Sequence, residues 1–274
     1  MFRTKLLVAT LAALFAAPAL AEDAPAAPYT ISGNVGFVSD YVFNGISQNY
    51  REPALQGGFD FVHTNGLYLG TWASNISGNQ YTNASMEWDI YGGYNGKVND
   101  DLTYSVGLMQ VMYPGGKAFN TTTDTYKKWD TTEAVIGATW KGLNVKYTYT
   151  LTNWYGIDNV GFTPTMWEDG SSTANDTTSD SKGSGYIELN YSYDLGDKLT
   201  VSAHAGHQKI NNFDKLSYSD VKLGVTKEVA AGFVLGAAYT KTNATDNTLY
   251  HVIANGEDKV LSGSIFAVSV THSY

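Results

Sequence analysis

Ten ionisable side chains recur on one parity of alternating segments: Asp40, Asp60, Glu87, Asp89, Glu133, Lys146, Glu188, His204, Asp220 and Lys222. Their types and spacing suggest no reaction centre. A nucleophile needs a base that a third group orients, and His63, His204, His207, His251 and His272 are scattered along the chain. The terminal His272-Ser273-Tyr274 lacks the Asn-Gly that follows in outer-membrane phospholipases, so no catalytic role and no enzyme activity is expected. Glu87, Asp89 and Asp60 offer oxygen ligands of the kind a divalent cation takes, but nothing in their spacing demands a metal, and no cofactor is expected. What seven carboxylates against two lysines can do is electrostatic. Negative walls concentrate cations and repel anions. The plainer alternative is that these acids pair with Lys146, Lys222 or loop lysines and only fill an interior.

The elements that position these groups are strands. Residues 86–94, MEWDIYGGY, set Met86, Trp88 and Ile90 against Glu87, Asp89 and Tyr91, the period of a pleated strand. Twelve such segments are predicted, over 31–43, 54–63, 67–76, 85–95, 102–112, 132–140, 143–151, 185–194, 199–208, 218–227, 232–240 and 261–274. Each is close to the ~9–11 residues with which a tilted strand crosses a bilayer. Connections alternate short and long. Thr64-Asn65-Gly66, 95–101, 141–142, 195–198 and 228–232 are short; 44–53, 77–84, 113–131, 152–184, 209–217 and 241–260 are long. That rhythm is the one of outer-membrane barrels, with short periplasmic turns and longer external loops. The longest loop, 152–184, is polar and rich in small residues, and is expected to solvate the outer surface.

On each readable strand the apolar face lacks charge away from the ends. Aromatics gather toward both ends of those faces: Tyr41, Phe43, Tyr149 and Tyr239 on one side, Tyr94, Tyr104, Trp140, Tyr193 and Phe233 on the other. A double aromatic girdle suits a wall that faces lipid. Only the strand 67–76 is ambiguous, with leucines on one face and Tyr68, Trp72 and Ile76 on the other. Closure into a ring follows from hydrogen bonding, because an unmet backbone group in hydrocarbon costs several kcal/mol.

The chain has no cysteine, which removes disulfides and thiol chemistry. Arg3 and Lys5, the apolar run LLVATLAALFAAPAL and the small residues Ala19 and Ala21 read as a cleaved secretory signal over 1–21. A short periplasmic leader, 22–29, would follow, and then a barrel over 30–274. Without Arg3 and Lys5, 15 basic residues face 26 acidic ones, a net charge of −11. That balance disfavours nucleic acid as a partner.

The stretch SDYVFNGISQ (39–48), followed by EPALQGGFDFVHTNGLYLGTWASNI (52–76), resembles the opening of the TorF-type porin family. The resemblance carries Asp40, Tyr41, Gly45, Ser47 and Gln48 as motif positions, and members commonly have Arg where this chain has Asn44. The final SIFAVSVTHSY resembles the C-terminal strand signal read by the barrel-insertion machinery of Gram-negative bacteria.

The expectation is therefore an all-β protein, an antiparallel transmembrane up-and-down barrel of about twelve strands with both termini periplasmic, in the outer membrane of a Gram-negative bacterium. It would be a narrow acid-lined porin for small hydrophilic solutes with a preference for cations. Its other partners would be outer-membrane lipid and, during biogenesis, the barrel-assembly machinery and periplasmic chaperones. The rival readings are a plugged, structural or adhesive barrel that presents long loops and, more remotely, a lipid hydrolase.

Overall fold

The computed structural model describes residues 27–120, 125–158, 180–244, 250–254 and 256–274. The predicted signal segment lies outside them. Twelve antiparallel strands close into one barrel: β1 (Tyr29–Val38), β2 (Ala54–His63), β3 (Leu67–Asn75), β4 (Met86–Lys97), β5 (Leu102–Met112), β6 (Thr131–Trp140), β7 (Leu143–Thr150), β8 (Gly185–Gly196), β9 (Leu199–Lys209), β10 (Tyr218–Ala230), β11 (Phe233–Thr242) and β12 (Ser264–Ser273). Every strand pairs with its sequence neighbours. The ring shuts where β1 meets β12, in a register from Asn34 opposite Ser273 to Val38 opposite Ser269. No sheet edge is left in the wall, so the backbone groups of each strand find partners on both sides.

Alternation decides which side chain faces which way. Ile31, Leu223 and Phe266 are 65%, 65% and 66% exposed on the outer surface, whereas Glu87, Asp89, Glu133 and Asp220 are buried inside. Tyr94, Tyr104, Trp140, Tyr193 and Phe233 line the outer rim at the turn end, and Tyr149 and Tyr239 stand at the loop end. The ambiguous strand resolves with Leu67 and Leu69 outward, while Trp72, Ser74 and Ile76 sit less exposed toward the interior. At the turn between β6 and β7, Lys141 and Gly142 both adopt positive φ, 47° and 86°. This left-handed pair matches the twist of the strands it joins.

Two girdle expectations fail. Tyr41 and Phe43 do not extend β1, which stops at Val38. Tyr41 is instead buried, and Phe43 packs against the buried cluster inside the mouth. The reason is local. Asn44-Gly45 folds Val42–Phe43 back onto Ile46–Ser47 as a separate two-stranded hairpin, and that hairpin turns inward.

The hydrophobic core sits at the loop end of the barrel, among the long connections. Ile157, Ile210, Phe213, Leu216, Tyr250 and Leu261 are nearly or wholly sealed from solvent. They come from three different connections and pack with Tyr81, Tyr113, Trp129 and Trp154 into one cluster. Each such burial is worth about 1.5–3 kcal/mol, so the mouth is held as a folded unit. The base of the longest connection belongs to that unit. Trp154, Tyr155 and Ile157 on one side and Ser181 and Ser184 on the other are buried, so this part points inward and not out into solvent. Residues 159–179 of the same connection lie outside the described ones.

Candidate functional site

The site is built on the hairpin that follows β1. Ser39 still pairs with Val268 on β12, and the chain then leaves the wall. Asn44 and Gly45, with φ of 45° and 80°, make the turn, a conformation that favours the Asn-Gly pair. Asn44 thus meets a backbone demand at the position where resemblance suggested Arg. A Cβ on Gly45 would lie 2.6 Å from the Cβ of Asp220 and 3.2 Å from that of Thr242. The hairpin tip therefore crosses the mouth and abuts β10 and β11, with no room for a larger residue.

All five motif residues serve this one element. The Ser47 hydroxyl donates to Asp40 at 2.6 Å. Tyr41 donates to Glu87 on β4 at 3.1 Å. Gln48 donates to the Ile46 carbonyl at 3.0 Å, and its own carbonyl accepts from the Tyr81 hydroxyl. Arg51, absent from the sequence expectation, is the tie. Its guanidinium donates to the Val260 and Ser262 carbonyls at 2.9 and 2.5 Å and lies 3.6 Å from Asp40. Burial raises the Asp40 carboxyl above its usual range, while Ser47 and Arg51 pull it back. Burial also pushes the Tyr41, Tyr81, Tyr113 and Tyr155 hydroxyls up, so they remain O–H donors.

Two cavities meet at the hairpin. The larger, about 450 Å³, lies in the barrel lumen, and the smaller, about 220 Å³, lies among the loops. Phe43 and Asn44 line both, so the hairpin tip stands between them.

Seven of the ten predicted lining residues face the larger cavity: Asp40, Asp60, Lys146, Glu188, His204, Asp220 and Lys222. Most are engaged with neighbours. Lys146 forms an ion pair with Glu188. His204 sits 2.7 Å from the Asn190 carbonyl oxygen and 2.9 Å from Asp220, and Tyr186 donates to Asp220 at 2.7 Å. Asp60 accepts from the Tyr91 hydroxyl at 2.7 Å. Lys222 is exposed to the lumen.

The other three, Glu87, Asp89 and Glu133, do not line that cavity. They form a buried acidic group under the loops. Glu87 accepts from Tyr41 and from Tyr113, each at 3.1 Å, and one Asp89 oxygen is buried without a partner. Asp60 is held apart by Tyr91, and no three His, Asp or Glu side chains among the described residues gather as metal ligands. Sequence reasoning missed Arg51 and the hydroxyls of Tyr113 and Tyr186, and it set Phe43 on the outer girdle instead of at the hairpin. The Asn44-Gly45 pair between Phe43 and Ile46 was the available signal for the hairpin.

A closed twelve-stranded antiparallel barrel with an oily exterior and a polar, charged interior is what the chain forms. It belongs to the family described as a bacterial protein of unknown function (Gcw_chp), whose profile matches residues 22–274. No curated protein matches it in sequence. Among solved structures it is similar to the KdgM porin, at 8% identity over 89% of this chain and 99% of that one, with a TM-score of 0.49. The NanC porin is similar at 9% identity over 89% and 99%, with a TM-score of 0.49. The P. putida toluene transporter TodX is similar at 10% identity over 92% and 90%, with a TM-score of 0.44.

Proposed function

We propose that the chain is an outer-membrane porin of the TorF type, a narrow channel for passive diffusion of small hydrophilic solutes. The observation that carries this is the division of the wall. A continuous apolar exterior suits lipid, while the interior holds a cavity lined by carboxylates, lysines and amides. On this reading residues 1–21 are removed on export, 22–29 form a leader, and 30–274 insert with the short turns and both termini in the periplasm. Lipid surrounds the barrel, and the barrel-assembly machinery and periplasmic chaperones deliver it. Four carboxylates against two lysines in the larger cavity support a preference for cations. The pairing of Lys146 with Glu188 keeps that preference modest.

Conductance in planar bilayers tests the reading. The refolded chain should give discrete channels whose reversal potential in a KCl gradient favours potassium, and a chloride-selective channel would refute the cation preference. Gly45→Val should enlarge the conductance several-fold, because the new side chain would collide with Asp220 and its φ of 80° suits glycine. A second reading, a barrel capped at rest, is favoured by the aromatic cluster across the loop end. Silence from both the natural chain and Gly45→Val would leave the capped barrel in place of the channel.

A further inference from the structure

The smaller cavity is chemically unlike the lumen beneath it. No Asp, Glu, Lys, Arg or His lines it among the described residues. Its walls are largely aromatic side chains, chiefly Tyr81, Trp129, Trp154 and Tyr218, set among the amides of Gln48 and Gln80. At about 220 Å³ it falls below the ~300–1,000 Å³ of pockets that enclose drug-sized ligands, which limits it to one ring.

Three features select the occupant. An ion entering here would lose its water without gaining a counter-charge, so charged solutes are disfavoured. Aromatic faces carry negative charge at their centres and hold a flat array of C–H bonds well. Gln80 is one of the lining residues, and its side-chain oxygen is buried without a hydrogen-bond donor. A buried acceptor left unmade is costly, and an incoming hydroxyl would satisfy it. A purely apolar ring would leave that oxygen unmet.

We infer that this loop-end pocket binds a single uncharged sugar ring, stacked on the aromatic walls and donating a hydroxyl to Gln80. The inference deepens the porin reading by naming the class of solute that would wait above the hairpin. Binding is read without any membrane, so it can fail while conductance succeeds, or the reverse.

The test uses the intact chain refolded in detergent, with intrinsic tryptophan fluorescence as the readout, since Trp129 and Trp154 line the pocket. Galactose and glucose are titrated beside galacturonate, which adds a carboxylate to the same ring, and toluene, which offers a ring with no hydroxyl. A saturable change is expected with a neutral sugar, at least tenfold weaker with galacturonate and weaker still with toluene. Gln80→Leu should weaken sugar binding about threefold to tenfold, the worth of one hydrogen bond, with the circular dichroism of the barrel unchanged. Acrylamide quenching of the natural chain is an independent measure, because bound sugar should shield the pocket tryptophans. No saturable response to either sugar, no shielding, or binding of galacturonate or toluene as tight as that of sugar would overturn the inference.

Discussion

The two ends of the barrel sort their apolar side chains in opposite directions. At the turn end the interior is built of small and polar residues, apolar side chains are exposed on the outside, and hydrogen bonds around the ring supply the order. At the loop end the relation reverses. Phe213, Leu216, Ile210 and Tyr250 turn inward and are sealed from solvent, as in a water-soluble domain. On the proposed reading one chain meets lipid over most of its wall and water over its mouth, and the hairpin at Val42–Ser47 stands at the junction.

Single substitutions can set the two halves against each other. The largest effect is expected from Phe213→Ala, which empties a wholly buried site in the mouth and should cost about 3–5 kcal/mol. The loss should be local. Limited proteolysis should cut the connections around 210–217 and 243–263 while the barrel remains resistant, and simultaneous loss of the barrel would show that the halves are one cooperative unit. Leu223→Lys should cost about 2–4 kcal/mol in lipid, as a charge on the lipid face does near midplane. Urea unfolding in vesicles measures it, and an unchanged midpoint would deny that this face meets lipid.

The smallest effect separates the two partners at the hairpin tie. Arg51→Met leaves Asp40 buried without its cation and should loosen the hairpin by about 1–3 kcal/mol. Asp40→Asn keeps a polar partner for Ser47 and should cost less. The pH dependence has a definite sign. Asp40 is raised in the folded chain, so the folded state binds its proton more readily than the unfolded one. That contribution is fully present below the ordinary carboxylate value, and it is lost as pH rises through the raised one. Hairpin docking, read by protease protection near residue 45, should strengthen as pH falls across that interval, and Asp40→Asn should abolish the trend.

The wall was legible in the sequence because its period is short and its penalty for error is large. Shifting β4 by one residue would swap Trp88 and Ile90 for Glu87 and Asp89 on the outer face. Turn signals such as Asn65-Gly66 and Lys141-Gly142 confirmed where each strand reverses. The mouth was far less legible. Phe213, Tyr250 and Ile157 lie in connections without periodicity, and their shared burial depends on contacts between distant segments. Tyr41 and Phe43 misled because their spacing continues the alternation of β1, and only Asn44-Gly45 marks the break. The lumen lay between these cases. Parity placed Glu188, His204 and Asp220 on one side of the sheet, but which of them would be paired depended on the cross-strand register of β7 to β10.

Arg51 also says something about the order in which the molecule can be completed. It follows the first strand, yet the carbonyls it grips, Val260 and Ser262, immediately precede the last. Such a clasp between remote stretches of chain carries a loop-closure cost that only a nearly finished ring removes. The Arg51 tie can therefore close only once the first and last strands have met. A barrel still gaping along that seam would carry a mouth without this latch.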